Sequence, residues 1–293
     1  MGSTVSMARR RPPTVHGLCV VDKPAGVTSH DVVGMLRRRF GERRVGHAGT
    51  LDPDATGVLL VGVGSVTKLM RFMTAMGKTY TAEVVLGTST STLDASGEVT
   101  GQWDMSAVTL AQARQAVADH LVGAIEQIPP MVSAVRIDGR RLHELARAGI
   151  EVDRPPRSVT VHSFEVEATG EPHVLAIRVQ CSSGTYIRTL ADDLGRLLGG
   201  GAHLRNLRRT AVGSFTDDEA LPPDDAVLLP PWMAMRGHQL VVVDDQVAAM
   251  VAHGRVLPRF DGDPPWGLMN AAGDLLAVYE AFGDDQAKPA VVL

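Results

Sequence analysis

The 293-residue chain reads as an α+β protein, one large domain followed by a small β-rich one. Three observations carry that expectation. Strand-like apolar runs and helix-spaced segments follow one another without strict β-α-β alternation, which disfavours a doubly wound sheet. Hydrophobic residues reach 44%, ample for a buried core at this length. After Phe215 the composition turns acidic and proline-bearing, which is linker chemistry, and the remaining C-terminal stretch is short and rich in strand signals. The expected division is a disordered basic tail over 1–16, a main domain over 17–215, a linker over 216–235 and a small domain over 236–293.

In chain order, residues 18–22 suit a buried strand, and Lys23, Pro24, Ala25 and Gly26 form a turn. Thr28 or Ser29 can cap a helix in which Val32, Val33 and Leu36 repeat at helical spacing, with Arg37, Arg38 and Arg39 on its other face. Residues 41–57 are a loop rich in glycine and proline. Residues 58–63 read as a buried strand, Ser65 opens a short helix, and 80–86 form another strand. An amphipathic helix is expected over 107–121 and a further one over 140–147, ended by Gly149. Strands at 159–166 and 174–179 precede a helix over 185–198 that three glycines stop. The small domain carries a strand at 240–243, a helix at 246–252 and two or three more strands.

Several classes are excluded. No run of eighteen apolar residues exists, so no membrane helix is expected. Arg9, Arg10 and Arg11 are not followed by an apolar stretch, unlike a signal peptide. Cys19 and Cys181 stand far apart and without CxxC spacing, which rules out a disulfide framework, disfavours a thiolate zinc site and points to the cytoplasm. The net charge of −4 argues against a nucleic-acid partner, but its distribution does not. Residues 1–78 hold twelve Lys/Arg against five Asp/Glu (+7), whereas 215–293 hold four against thirteen (−9). Phosphate binding follows the local field, although uneven charge alone establishes no RNA partner.

Four clusters carry candidate chemistry. The loop at 41–57 contains Arg43, Arg44, His47, Asp52 and Asp54 among glycines that allow close backbone approach. Asp52 before Pro53 is equally a good turn starter, and by itself that reading leads; Asp54 reads as a solvated turn residue. Residues 52–56 match the D-x-D-x-T pattern of aspartyl phosphatases, but no apolar strand delivers the first aspartate. Residues 62–68 lack P-loop spacing. Tyr80 and Tyr186 are two of only three tyrosines, so they are the scarce surfaces on which a base could stack, unless they simply pack. Arg188 can pair with Asp192 one turn on. The run 203–209 would suit phosphates, though most such runs are solvated faces.

Taken in order, these segments resemble the bacterial tRNA pseudouridine synthase B (TruB) family. The carriers are VDKPAGVTSHDVV (21–33), RRVGHAGTLDPDATGVLLVGVGSVTK (43–68), KTYTAEVVLG (78–87), QIPPMVSAV (127–135), CSSGTYIRTLADDLG (181–195) and GAHLRNLRRTAVG (201–213). They span most of residues 17–215. The resemblance implies a pseudouridine synthase fold, a large mixed and mainly antiparallel sheet with flanking helices, plus a PUA-like RNA-binding domain at the end. It implies isomerisation of uridine 55 in the tRNA T-loop after base flipping, with glycosidic cleavage and reattachment through C5.

By position, Asp52 matches the catalytic aspartate, which attacks the nucleotide or deprotonates it. Tyr80 matches the tyrosine that stacks on the flipped uracil and acts in proton removal from C5, and Arg188 the arginine that ion-pairs with the aspartate. Tyr186 and Leu207 match positions lining the uridine pocket, and His47 the histidine that fills the vacated space in the T-loop. Lys68 falls in a family motif suited to phosphate contact, and Lys23 and Pro24 in a chiefly structural one. The resemblance implies the tRNA T-stem-loop as partner, no membrane, no obligate protein partner, a monomer in the cytoplasm, and neither cofactor nor metal. Val132, Arg136 and His143 depart from the family pattern, which bears on RNA contacts rather than on the chemistry. An inert RNA-folding protein and an aspartyl phosphatase are the competing classes.

Overall fold

A computed structural model describes residues 12–132, 136–137, 140–141, 150 and 152–293. The large domain runs β1 (Gly17–Lys23), α1 (Ser29–Phe40), β2 (Val45–Ala48), β3 (Thr56–Val63), a 3-10 turn (Gly64–Leu69), α2 (Met70–Ala75) and β4 (Lys78–Leu86). There follow β5 (Thr88–Thr90), β6 (Val99–Gln102), α3 (Leu110–His120), β7 (Gly123–Gln127), β8 (Arg136–Ile137) and β9 (Arg140–Arg141). The domain closes with β10 (Arg157–Ala168), β11 (Val174–Cys181), α4 (Ile187–Leu197), β12 (Ala202–Val212) and β13 (Phe215–Thr216). Most of the expected basic tail, and residues 142–147 of the expected helix at 140–147, lie outside the described residues; Arg140 and Arg141 instead pair as a strand with β8. His143 lies outside them as well.

The main sheet is ordered β1-β3-β12-β4-β11-β10-β7, with β2 on β3 and β13 on β12. Every pairing is antiparallel except β3 with β12, so the sheet is mixed and mainly antiparallel. Its centre departs from the sequence expectation. The run at 203–209, expected as a basic, solvated face, is the middle of β12, packed between β3 and β4. Ion pairs accommodate two of its arginines in the sheet, and backbone carbonyls accommodate Arg209. Arg205 meets Glu83 (2.6 Å) and Glu171 (2.7 Å), and Arg208 meets Asp22 (2.9 Å) and Asp217 (3.1 Å). Likewise, residues 45–48 of the expected loop form β2.

Burial on β4 alternates with period two, which puts Lys78, Tyr80, Ala82, Val84 and Leu86 on one face against α3 and α4. The apolar core thus turns polar at Tyr80 and Lys78. Helix α1 starts at Thr28, whose hydroxyl accepts from Asp31 N–H while Asp31 caps Thr28 N–H in return, worth about 1 kcal/mol. It ends at Gly41 in the left-handed conformation, and it buries Val32, Val33 and Leu36.

The acidic segment after Phe215 is no free spacer. Leu229 exchanges two backbone hydrogen bonds with Leu18 (3.0 and 2.8 Å). Leu221 donates to Val20 (3.1 Å) and accepts from Asp22 (2.8 Å), and Ala226 is buried between them in the core under α1. Composition reports the polarity of such a segment but not the open strand edge that it covers. The small domain contains β14 (Gln239–Val242), α5 (Asp245–Ala252), β15 (Leu257–Pro258), β16 (Trp266–Met269), β17 (Leu275–Phe282) and β18 (Gln286–Val292), forming one five-stranded sheet. Its Leu275 and Val278 share a core with Leu18, Phe72 and Phe215 of the large domain.

At Gly57, φ is +99° and a Cβ would stand 2.2 Å from the Arg209 carbonyl oxygen, so the close approach of β3 to β12 requires glycine. Gly57→Ala is expected to lower the unfolding free energy by about 3 kcal/mol in a urea titration. A loss under about 1 kcal/mol would mean that the two strands can part.

Candidate active site

Asp52 sits in the turn between β2 and β3, where Ala55 N–H donates to its carbonyl at 3.1 Å. Both of its neighbours are tied to the segment between β1 and α1. Ser29 Oγ donates to the Leu51 carbonyl (3.1 Å) and accepts from Leu51 N–H (2.9 Å). The Pro53 carbonyl accepts from Gly26 N–H (3.0 Å) and from Lys23 Nζ (2.9 Å). Lys23 is fully buried, and its Nζ also donates to the carbonyls of Pro24 and Val27 at 2.8 and 2.7 Å. Three acceptors match the three donors of an ammonium group. That explains how the charge persists although burial lowers its pKa to about 8, against the pull of Asp54 and Asp52.

Opposite stands Arg188 in the first turn of α4, its side chain only 5% exposed. Its Nε lies 3.1 Å from Asp52 Oδ2. Its Nη1 lies 3.1 Å from Asp94 Oδ2 and donates to the Thr92 carbonyl at 2.9 Å. Its Nη2 donates to the Val132 carbonyl at 2.8 Å. The alternative partner, Asp192, pairs with Arg196 instead (2.7 Å). Gln127 at the end of β7 clips the start of α4, accepting from Tyr186 N–H (3.0 Å) and donating to the Tyr186 carbonyl (3.2 Å).

Leu207 reaches the same cleft through a bulge. The register of β12 against β4 slips between Arg205 and Arg208, and Asn206 takes a left-handed φ of 54°. One extra residue of β12 is accommodated against β4 there. Tyr80 pairs across the sheet with Arg209, which is 1% exposed and donates to the carbonyls of Val58 (2.7 Å) and Gly49 (3.1 Å). Asp52, Tyr80, Tyr186, Arg188 and Leu207 line one cleft of about 410 Å³, within the range of small-ligand sites. Lys78 and Arg209 line it as well. A second cavity of about 520 Å³ shares Asp52, Arg188 and Leu207 with the first and is also bounded by Asp94 and Asn206.

Electrostatics set the working state of these groups. Burial raises the pKa of Asp52, and Asp94 adds to the rise while Arg188 opposes it. Although 41% of its side chain is exposed, that surface faces a narrow cleft rather than bulk solvent, so desolvation still acts. The Tyr80 phenol is likewise pushed up by burial, with Arg209 pulling the other way, and stays protonated at neutral pH. Burial lowers the pKa of His47 and leaves its ring uncharged.

Five of the seven expected site residues therefore converge; His47 and Lys68 do not line the cleft. His47 lies half-buried on β2, two residues before Gly49 in the cleft wall. Lys68 is exposed on the 3-10 turn, its Nζ donating to the Val292 carbonyl of the small domain at 2.7 Å. Sequence reading gave no site role to Asp94, Gln127, Lys78 or Arg209. Lys78, Gln127 and Arg209 lay in segments already singled out, whereas nothing in the sequence marked Asp94.

The chain matches the TruB family pseudouridylate synthase N-terminal domain over residues 37–187 and the tRNA pseudouridylate synthase B C-terminal domain over 188–225. It is 51% identical over 257 residues to the tRNA pseudouridine synthase B of Corynebacterium aurimucosum, covering 83% of this chain and 85% of that one. It is 43% identical over 257 residues to the protein of the same name in Bacillus licheniformis, covering 83% of each. A Cbf5-Nop10-Gar1 complex contains a similar structure, with a TM-score of 0.71 and 26% identity over 94% of this chain and 84% of that one. This fold, with a carboxylate and an arginine facing each other in the cleft, defines a pseudouridine synthase. The chain belongs to the TruB family of these isomerases.

Carbon-13 NMR titration of the Asp52 carboxyl group is expected to give a midpoint above 3.8. Asp94→Asn removes a raising charge and should lower it, whereas Arg188→Gln removes the lowering charge and should raise it. A midpoint indifferent to both changes would contradict the electrostatic account.

Proposed function

We propose that the chain converts uridine 55 of the tRNA T-loop to pseudouridine, with Asp52 as the essential carboxylate. The carrying observation is the Asp52–Arg188 pair facing Tyr80, Tyr186 and Leu207 across one cleft. Relatives about half identical to the chain bear the name tRNA pseudouridine synthase B, which supports tRNA as the substrate.

A uridine inside a folded loop must leave its stack, which costs roughly a few kcal/mol. Tyr80 offers the extruded base a ring on which to stack, and the neutral His47 ring can fill the space left behind. Asp52 acts ionised, either bonding to C1′ or taking the C2′ proton, and the Arg188 guanidinium favours that charged form. An arginine suits the place because its planar fork fixes the carboxylate and does not deprotonate. The isomerisation involves no net redox change and no hydrolysis, so its balance calls on no cofactor. In this reading the enzyme acts as a cytoplasmic monomer without an obligate protein partner. The small five-stranded domain is assigned as PUA-like and RNA-binding, a reading supported by its β-rich sheet and by its place after the catalytic domain.

Incubation with an unmodified tRNA transcript, followed by chemical mapping of pseudouridine, tests the reading. Wild-type chain should modify position 55, and Asp52→Asn should lose about 10³-fold or more of the rate. Full activity in Asp52→Asn would end this assignment.

A further inference from the structure

Lining the same cleft, and more buried than Asp52, are two cations with no acid to balance them. Lys78 is 6% exposed and Arg209 1%, and no ion pair among the described residues includes either. Lys78 Nζ donates to the carbonyls of Thr74 and Met76, both at 2.5 Å, which leaves one of its three protons over. Arg209 spends Nε and Nη2 on the carbonyls of Val58 and Gly49, and its guanidinium also reaches the Tyr80 hydroxyl, so no acid offsets its charge. Cys181, which pairs with Lys78 across β4 and β11, is a neutral thiol because burial pushes its pKa up to about 11. The two cations also oppose each other: burial and then the Arg209 charge bring the Lys78 pKa down to about 8. Buried charge left unpaired is costly, and it is recovered when an anion comes within reach.

We propose that Lys78 and Arg209 form a cationic hole that takes up the negative charge of the uracil base while its bond to the sugar is broken. The proposal rests on the isomerase reading above. In either route for Asp52, the C1′–N1 bond breaks with its electron pair passing to N1, and the base departs as an anion whose charge spreads to O2 and O4. Asp52 meanwhile bonds to C1′ or holds the C2′ proton. The base turns and C5 bonds to C1′. Asp52 is then released as a carboxylate, or returns its proton to C2′. The C5 proton leaves and N1 ends protonated, so the product is an isomer of the substrate. Donors already aimed at that charge lower the barrier without reorganising.

The test compares Lys78→Met, Lys78→Arg and wild type in single turnover on two tRNA transcripts. One carries uridine at the target position and the other 5-fluorouridine, whose base is the better anion. Lys78→Met is expected to slow uridine rearrangement about 10²-fold with RNA affinity within about threefold of wild type. Its loss should be at least about tenfold smaller on 5-fluorouridine, read as the rearranged C-nucleoside, and Lys78→Arg should keep most of the rate. Equal losses on both transcripts, or a loss carried wholly by RNA affinity, would overturn the proposal, the latter because the cations would then be holding a phosphate. Should Lys78→Met fail to fold, wild-type protein answers by calorimetry. Barbiturate, a planar pyrimidine anion at neutral pH, should bind about tenfold or more tighter than neutral uracil. No preference for barbiturate overturns the idea. Failure of the isomerase reading is separable, since it would leave wild type inactive on both transcripts.

Discussion

A guanidinium group buried to 5% exposure must be matched on every side, and the Arg188 side chain imposes that condition on the whole cleft. Its partners come from separate stretches: the β2–β3 turn, the loop between β5 and β6, and the segment after β7, while α4 carries the arginine itself. None of the partner stretches is held by its own secondary structure at the point of contact. Gln127 sets the angle of α4, and Ser29 and Lys23 set the turn carrying Asp52. Asp94 is fixed by Thr92 Oγ1, Ser96 Oγ and Ser96 N–H on its other oxygen. The ion pair is therefore where separately anchored pieces of chain meet.

Matching of buried charge also corrects an impression left by composition. The excess of basic residues in the N-terminal part and along 203–209 suggests a surface made for phosphates. In the folded chain the arginines of 203–209, together with Lys23, are tied to internal acceptors, whereas most of the other described basic residues of the N-terminal part stay exposed. Lys23 holds carbonyl oxygens, Arg205 and Arg208 hold carboxylates, and Arg209 holds the backbone of β3 and the Gly49 turn. Arg37, Arg38, Arg39, Arg43 and Arg44 stay exposed, Arg39 while donating to the carbonyl of Ala226. Local charge counts measure what the chain owns, not what it shows to solvent.

Legibility followed the range of the interactions concerned. Helix α1 was readable because its cap, apolar repeat and final glycine all act within a few residues. β4 and α4 were found for the same reason, within two residues at either end. β2 and β12 were not, since each is a strand only by virtue of partners elsewhere in the chain, and β12 carries arginines where a central strand ordinarily carries apolar residues. The pairing of Asp52 with Arg188 came from family resemblance; from local spacing alone, Asp192 was the nearer candidate. The bulge that delivers Leu207 depends on one left-handed asparagine, which nothing in the local sequence marks as unusual.

The strip of chain between residues 217 and 229 joins the two domains and also serves as the outer rail of the sheet, bonded to Leu18, Val20 and Asp22. Shortening the protein at residue 215 would therefore do more than remove an accessory module. It would strip the hydrogen-bond partners from β1 and lay open the core beneath α1 that Ala226 now closes. A bare edge of this kind recruits strands from other molecules. The catalytic half, cut where the composition suggests a natural seam, would emerge as a sticky fragment rather than an autonomous enzyme.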